Sequence, residues 1–88
     1  MNVLQEADAI AGNDRSRDYG HPRANHERIA GMWTIQLGKK LKPGERIEPD
    51  EVALMMIALK LARLINSPKR DSVVDIAGYA KCWEMIVE

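Results

Sequence analysis

The chain has 88 residues, and its thirteen basic and thirteen acidic side chains give a formal net charge of zero at pH 7. This balance argues against a nucleic-acid binder that depends on a bulk positive field. The single cysteine, Cys82, excludes an internal disulfide framework and is predicted to be a packing residue. A chain of this size buries only about 60–65% of its unfolded surface. We therefore expect one domain over residues 1–88, and we expect it to be oligomeric.

Apolar residues recur at helical spacing and predict an all-α fold of four helices. The first three are predicted over residues 3–11, 22–37 and 49–65. Pro22 and Pro49 open the second and third helices, because a missing N–H costs nothing in a first helical turn. Asp71 or Ser72 is predicted to cap the fourth helix. With no N-terminal targeting pattern and no long apolar run, we expect a cytoplasmic protein.

The third predicted helix is apolar on nearly every side, since it reads VALMMIALKLARLI from Val52 to Ile65. Such a helix has no polar face for water, so it is predicted to be central and covered by other helices or by a second subunit. The second helix is predicted to bury a stripe that includes Ile29, either Met32 or Trp33, and residues 35–37. The fourth is predicted to bury Val73, Ile76, Ala77, Ala80, Trp83 and Val87.

Four charges flank the break between the last two helices. Lys60 and Arg63 share one helix face, and Asp71 and Asp75 share another. If the helices fold back antiparallel, the cations meet the acids near the closed end of the hairpin. Buried cations need partners, and these are either the two acids or the phosphates of a ligand. The pairing of Asp75 with Arg63 is favoured over a magnesium ion held by Asp71 and Asp75.

Residues able to recognise a ligand are concentrated in the polar segment 12–22 and in the helix that follows it. Arginines there can hold phosphates, and Tyr19 can stack on a base; the alternative is a solvated loop whose arginines pair with neighbouring acids. Together with Lys60, Arg63 and Asp75, the predicted ligand-binding residues are Arg15, Arg17, Tyr19, His21, Arg23, His26, Arg28 and Tyr79.

Three blocks in order, RDYGHPRANHERIAGMW, DEVALMMIALKLARL and RDSVVDIAGYA, resemble a family of small all-α proteins of tailed phages and prophages. The resemblance covers residues 15–85. More distantly, the pattern is similar to the MazG-type all-α nucleoside triphosphate pyrophosphatases, which hold Mg²⁺ between acids on two neighbouring helices. That resemblance places the later acidic pair at Asp71 and Asp75. On the earlier helix, Lys60 and Arg63 stand where acids are expected, which argues against catalysis and leaves nucleotide binding open.

The leading hypothesis is therefore a phage-encoded, non-catalytic and cofactor-free binder of a nucleotide or a nucleotide-derived signal, acting against host defence by sequestration. One alternative is a Mg²⁺-dependent pyrophosphatase that uses Asp71, Asp75 and either Glu27 or Glu51. Another is a structural module in which the hairpin mediates oligomerisation and its four charges hold the two helices together as ion pairs. We expect no membrane partner and no bulk binding of nucleic acid.

Overall fold

A computed structural model describes residues 1–14 and 20–88 of the chain. The described residues form four α-helices and one π-helical turn, and they contain no β-strand. The elements are α1 (Val3–Ala9), the π-helical turn (Ile10–Asp14), α2 (Pro22–Gln36), α3 (Pro49–Asn66) and α4 (Arg70–Val87). The predicted all-α class is confirmed.

The helix starts follow local capping chemistry. At α1, the Gln5 N–H donates to Asn2 Oδ1 at 2.8 Å, and the Asn2 N–H donates to Gln5 Oε1 at 3.0 Å. This reciprocal pair satisfies two N–H groups that have no intrahelical partner. Pro49 opens α3 as predicted.

The predicted cap of α4 is wrong, because the N-cap residue is Lys69 rather than Asp71 or Ser72. The three residues 67–69 connect α3 to α4, and the helix resumes directly after Pro68 and Lys69. Asp71 lies in the first turn, where its negative charge complements the helix dipole.

The main apolar cluster lies between α2 and α3. Ala30, Ile47 and Val52 are buried there, and Ile29 and Trp33 pack against them. Trp33, and not Met32, is therefore the residue of the second helix that packs here, whereas the predicted burial of residues 35–37 is wrong because all three are exposed. Much of the described core consists of small side chains, and its buried apolar residues are Ala7, Ala11, Ala30, Ile47, Val52, Ala53, Val74, Cys82 and Ile86.

The predicted buried face of α4 is largely wrong. Val73, Trp83 and Val87 are exposed, whereas Val74 and Cys82 are buried. The helix carries apolar residues around most of its circumference, so periodicity alone does not determine which face is covered. The partners of the helix determine it, because α4 packs along α3 and also against α1.

Two ion pairs support the contact between α1 and α4. Arg70 Nη1 lies 2.6 Å from Glu6 Oε2, and Lys81 Nζ lies 3.6 Å from Asp8 Oδ1. None of the described helices combines the length and hydrophobicity that are needed to cross a lipid bilayer. The antiparallel direction of α3 and α4 and the self-association of the chain stay predictions at this point.

Thr34 connects α2 to the segment that precedes α3. Its hydroxyl donates to the Ala30 carbonyl at 2.7 Å and accepts the Ile47 N–H at 2.9 Å. Replacing Thr34 with Val leaves the N–H of the buried Ile47 without an acceptor. We expect Thr34→Val to lower the free energy of unfolding by about 1–2 kcal/mol in urea denaturation. Thr34→Ser keeps the hydroxyl and is the control; an equal loss in both variants would contradict this role.

Candidate functional site

Lys60 of α3 and Asp75 of α4 form an ion pair. Lys60 Nζ lies 2.9 Å from Asp75 Oδ2, and the side chains are 14% and 32% exposed, respectively. The expected contact between a cation of α3 and an acid of α4 is thus confirmed for this pair. The favoured pairing of Asp75 with Arg63 is wrong.

Arg63 faces a different side of α3. Positions 60 and 63 lie about 60° apart around a helix of 3.6 residues per turn. Consequently, Lys60 points toward α4 while Arg63 is exposed. Arg63 makes no ion pair with any residue that the structure describes.

Arg63 lines an open groove where α3 ends and α4 begins, and we call this the junction groove. Its volume is about 500 Å³, which is within the range of small-molecule sites. It is lined by Leu59, Ala62, Arg63, Asn66, Ser67, Lys69 and Ser72. These described lining residues supply two cations, an amide, two hydroxyls and an apolar wall, but no acid.

Sequence reasoning selected Arg63 but missed the other polar residues of the junction groove. The sequence pattern assigns no ligand-binding role to Asn66, Ser67 or Lys69. Helix ends, however, leave backbone groups without intrahelical partners. Polar side chains beside such an end are a signal that could have identified the groove.

Four predicted site residues meet elsewhere and form what we call the polar cluster: Lys60, Asp75, Tyr79 and His26. Asp75 and Tyr79 are one turn apart on α4, and the ring centres of Tyr79 and His26 are 6.2 Å apart. His26 is buried, and its Nδ1 lies 3.3 Å from the Pro49 carbonyl oxygen. The cluster therefore involves α2, α3 and α4.

The polar cluster has little free space beside it. Asp75 and Tyr79 border a recess that is completed by Ile10, Val74 and Gly78. Its volume is about 10 Å³, which is close to the minimum for one water molecule. Within the described part of the chain, the junction groove is thus the larger of these two spaces by far.

The predicted ligand residues at the start of α2 have contacts within the protein. His21 is the N-cap, and its Nδ1 accepts the Arg23 N–H at 3.0 Å. The Arg23 guanidinium donates to the Ile86 carbonyl oxygen at 2.7 and 3.2 Å. Cations stabilise the exposed carbonyls of a last helical turn, so a structural role accounts for Arg23. Arg28 is exposed on the same helix.

Arg15, Arg17 and Tyr19 lie outside the described residues. Their predicted ligand-binding role stays a prediction.

Two surface cations have pKa values that nearby acids raise. The hydrogen bond and charge of Glu27, with the charge of Glu48, raise the pKa of Arg46. The Glu84 carboxylate, with a smaller contribution from Asp8, raises the pKa of Lys81. Glu27, a candidate acid under the pyrophosphatase alternative, therefore has a basic partner outside the junction groove.

The other candidate acids are also dispersed. Glu51 accepts the Glu48 N–H at 2.9 Å at the start of α3, and Asp71 is exposed in the first turn of α4. Among the described residues, no three His, Cys, Asp or Glu side chains are grouped so that they could hold one metal ion.

The Lys60–Asp75 pair predicts a difference between the two acids of α4. We expect Asp75→Asn to lower the free energy of unfolding by about 1–3 kcal/mol, because it leaves the largely buried Lys60 ammonium without a counter-charge. Asp71→Asn is the matched control and removes only an exposed charge at a helix start, worth about 0.3–1 kcal/mol. Urea denaturation of both variants measures the difference, and equal losses would show that the pair is not structural.

Comparison with known proteins places the chain among phage proteins. The sequence model of a family described as "Domain of unknown function (DUF6378)" matches residues 2–87. The chain is 46% identical over 85 residues to the Gene 55 protein of Mycobacterium phage L5, which covers 96% of the chain and 51% of that protein. It is 39% identical over 88 residues to the Gene 55 protein of Mycobacterium phage D29, covering 99% and 54%.

The chain thus spans about half the length of these curated relatives. The predicted relation to a phage family is confirmed, whereas the distant similarity to MazG-type enzymes stays a prediction. No solved structure matches the chain significantly.

Proposed function

The chain belongs to the DUF6378 family, and we propose that it is a non-catalytic binder of a nucleotide or nucleotide-derived molecule. The phosphate groups of the ligand would lie in the junction groove, beside Arg63. The observation that carries this proposal is the chemistry of that groove, in which Arg63 and Lys69 line a space of about 500 Å³ without an acid among its described lining residues.

We further infer that α3 and α4 form an antiparallel hairpin. Three residues connect two helices of 18 residues each, and an extended chain of that length reaches about 10 Å, close to the separation of packed helices. Lys60 precedes the end of α3 by six positions, and Asp75 follows the start of α4 by five. An ion pair between positions so similarly distant from the connection favours the antiparallel direction.

This hairpin would place the junction groove at its closed end. Three kinds of side-chain group that can donate hydrogen bonds to a phosphate lie there. Arg63 can bind a phosphate through two parallel hydrogen bonds, and Lys69 adds a flexible ammonium. Ser67 and Ser72 contribute hydroxyls. The groove also adjoins the first turn of α4, whose backbone N–H groups are oriented favourably for an anion.

The remaining wall of the groove suits the less polar part of a nucleotide. Leu59 and Ala62 lie beside Arg63 on α3, and their side chains can contact a ribose or the face of a base. A phosphate at Arg63 with a base against Leu59 would use both the polar and the apolar parts of the lining.

The positions of the described acids support binding without turnover. Metal-assisted cleavage of a phosphoanhydride needs carboxylates that fix the ion and the attacking water. Asp75 is paired with Lys60, and Glu27 is paired with Arg46. A binder of this kind lowers the free concentration of its ligand in proportion to its own amount, which is what sequestration of a host signal would require.

Thermal denaturation with candidate ligands tests the site. We expect a nucleoside triphosphate, a cyclic dinucleotide or an ADP-ribose derivative to raise the melting temperature in the absence of Mg²⁺. A ligand at 100 times its Kd stabilises by about 2.7 kcal/mol, which corresponds to a rise of more than about 10 °C for a domain of this size. Arg63→Ala should remove this rise without lowering the melting temperature of the free protein by more than about 2 °C, because Arg63 is exposed and unpaired among the described residues.

Lys39→Ala is the matched control, because Lys39 is an exposed cation in the connection between α2 and α3; this variant should keep the ligand response. Assays of pyrophosphate and phosphate release with Mg²⁺ complete the test. Stabilisation without release supports the binder. Release that Asp75→Asn abolishes would establish the enzyme instead, and a screen in which no ligand stabilises the protein would contradict the proposal.

A further inference from the structure

One face of α3 is apolar and exposed along most of the helix. Leu54, Met55, Leu59, Leu61 and Ile65 are between 41% and 89% exposed. Their spacing places them on one side of the helix together with the exposed Ala58 and Ala62. We call this side the α3 face. It contains no charged residue between Leu54 and Ala62, since Lys60 points toward α4.

The exposed area of the whole chain is larger than a single folded chain of its mass should have. The scaling of accessible surface with mass predicts about 5,200 Å² for a monomer of this size, and the mass is 9.9 kDa. The chain exposes 6062 Å², which is about 900 Å² more. A stable interface buries about 800 Å² on each partner, so the excess of the whole chain is large enough for one such interface.

The dimensions agree with this excess. The Cα radius of gyration is 13.8 Å, whereas about 12 Å is expected for a compact chain of 88 residues. The extents of 45 × 31 × 20 Å describe an elongated molecule. The α3 face would be covered if a second molecule packed alongside α3.

We infer that two copies of this chain associate through their α3 faces, with the two helices antiparallel and related by a two-fold axis near Ala58. A two-fold contact brings the same surface of each copy together, and a face without charges between Leu54 and Ala62 can pair with itself without repulsion. Ala58 and Ala62 are small, so the two backbones can approach closely.

Charges at the two ends of the face favour the antiparallel direction. Asp50 and Glu51 lie in the first turn of α3, and Arg63 lies near its end. Antiparallel packing separates the acidic first turns of the two copies, and it also opposes the two helix dipoles. Parallel packing would place like charges together at each end.

The mass of the chain in solution tests the association. At about 50 µM we expect light scattering to give about twice 9.9 kDa. Leu61→Glu should give the monomer mass while the circular dichroism spectrum stays helical. Ile35→Glu is the matched control, because Ile35 is an exposed apolar residue of α2 outside the α3 face, and it should stay dimeric. A monomeric parent chain, or a dimer that Leu61→Glu leaves intact, would overturn the inference. A monomer would indicate that another partner covers the α3 face, such as the remainder of a longer protein.

Disulfide trapping provides a second measurement that does not require a loss of assembly. Ala58→Cys places two thiols beside the two-fold axis, so oxidation should give a covalent dimer on a non-reducing gel. Leu54→Cys should not, because antiparallel helices would hold the two copies of this residue about 12 Å apart along the axis. The parent chain controls for the buried Cys82. Trapping of Leu54→Cys, or failure of Ala58→Cys, would overturn the antiparallel arrangement.

Discussion

The ion pair between Lys60 and Asp75 constrains how the two longest helices are oriented about their own axes. A lysine in the middle of an apolar helix needs a partner if it is removed from water, and Asp75 of α4 supplies one at 2.9 Å. With Lys60 directed toward α4, helical geometry leaves Arg63 at the edge of the contact and turns Leu54 and Ile65 away from it. The same pair turns Asp75 of α4 inward. The position of the groove and the exposure of the apolar face agree with this orientation.

This orientation also places Arg63 apart from the Lys60–Asp75 ion pair. Lys60, Arg63 and Asp75 were expected to line one pocket, because they occur near one break in the chain. Lys60 and Asp75 neutralise each other beside a recess of about 10 Å³, which cannot hold a nucleotide. Arg63 lies beside the junction groove, whose volume of about 500 Å³ is fifty times larger. The pair thus contributes to stability, whereas Arg63, which makes no ion pair with any described residue, borders the larger space.

The sequence was sufficient to predict where the helices lie along the chain. It was not sufficient to predict which face of each helix is buried. Pro22 and Pro49 marked two helix starts correctly because the chemistry of a first turn is local. The buried face of α4 was wrong because Val73 and Val74 are equally apolar, so neighbouring helices decide which of them is covered. Arg63 was predicted as a ligand residue, but its companions Asn66 and Lys69 were not, since a groove at a helix junction depends on how the chain turns. The N-cap position of α4 is likewise Lys69 and not the predicted Asp71 or Ser72, and its side chain makes no capping hydrogen bond.

The junction groove and the α3 face share part of their surface. Leu59 and Ala62 line the groove and also lie on the apolar side of α3. A second copy packed on α3 would therefore stand at the open edge of the groove, and a ligand against Leu59 would change the surface that the second copy meets. Two binding events that use the same residues are coupled energetically, and the coupling acts equally in both directions. A ligand that also contacted the second copy would favour the dimer, whereas one that occupied the α3 face would oppose it. The placement of the groove beside the face, rather than at the opposite end of the helix, is thus what would allow a chain with a small core to link its assembly to its ligand.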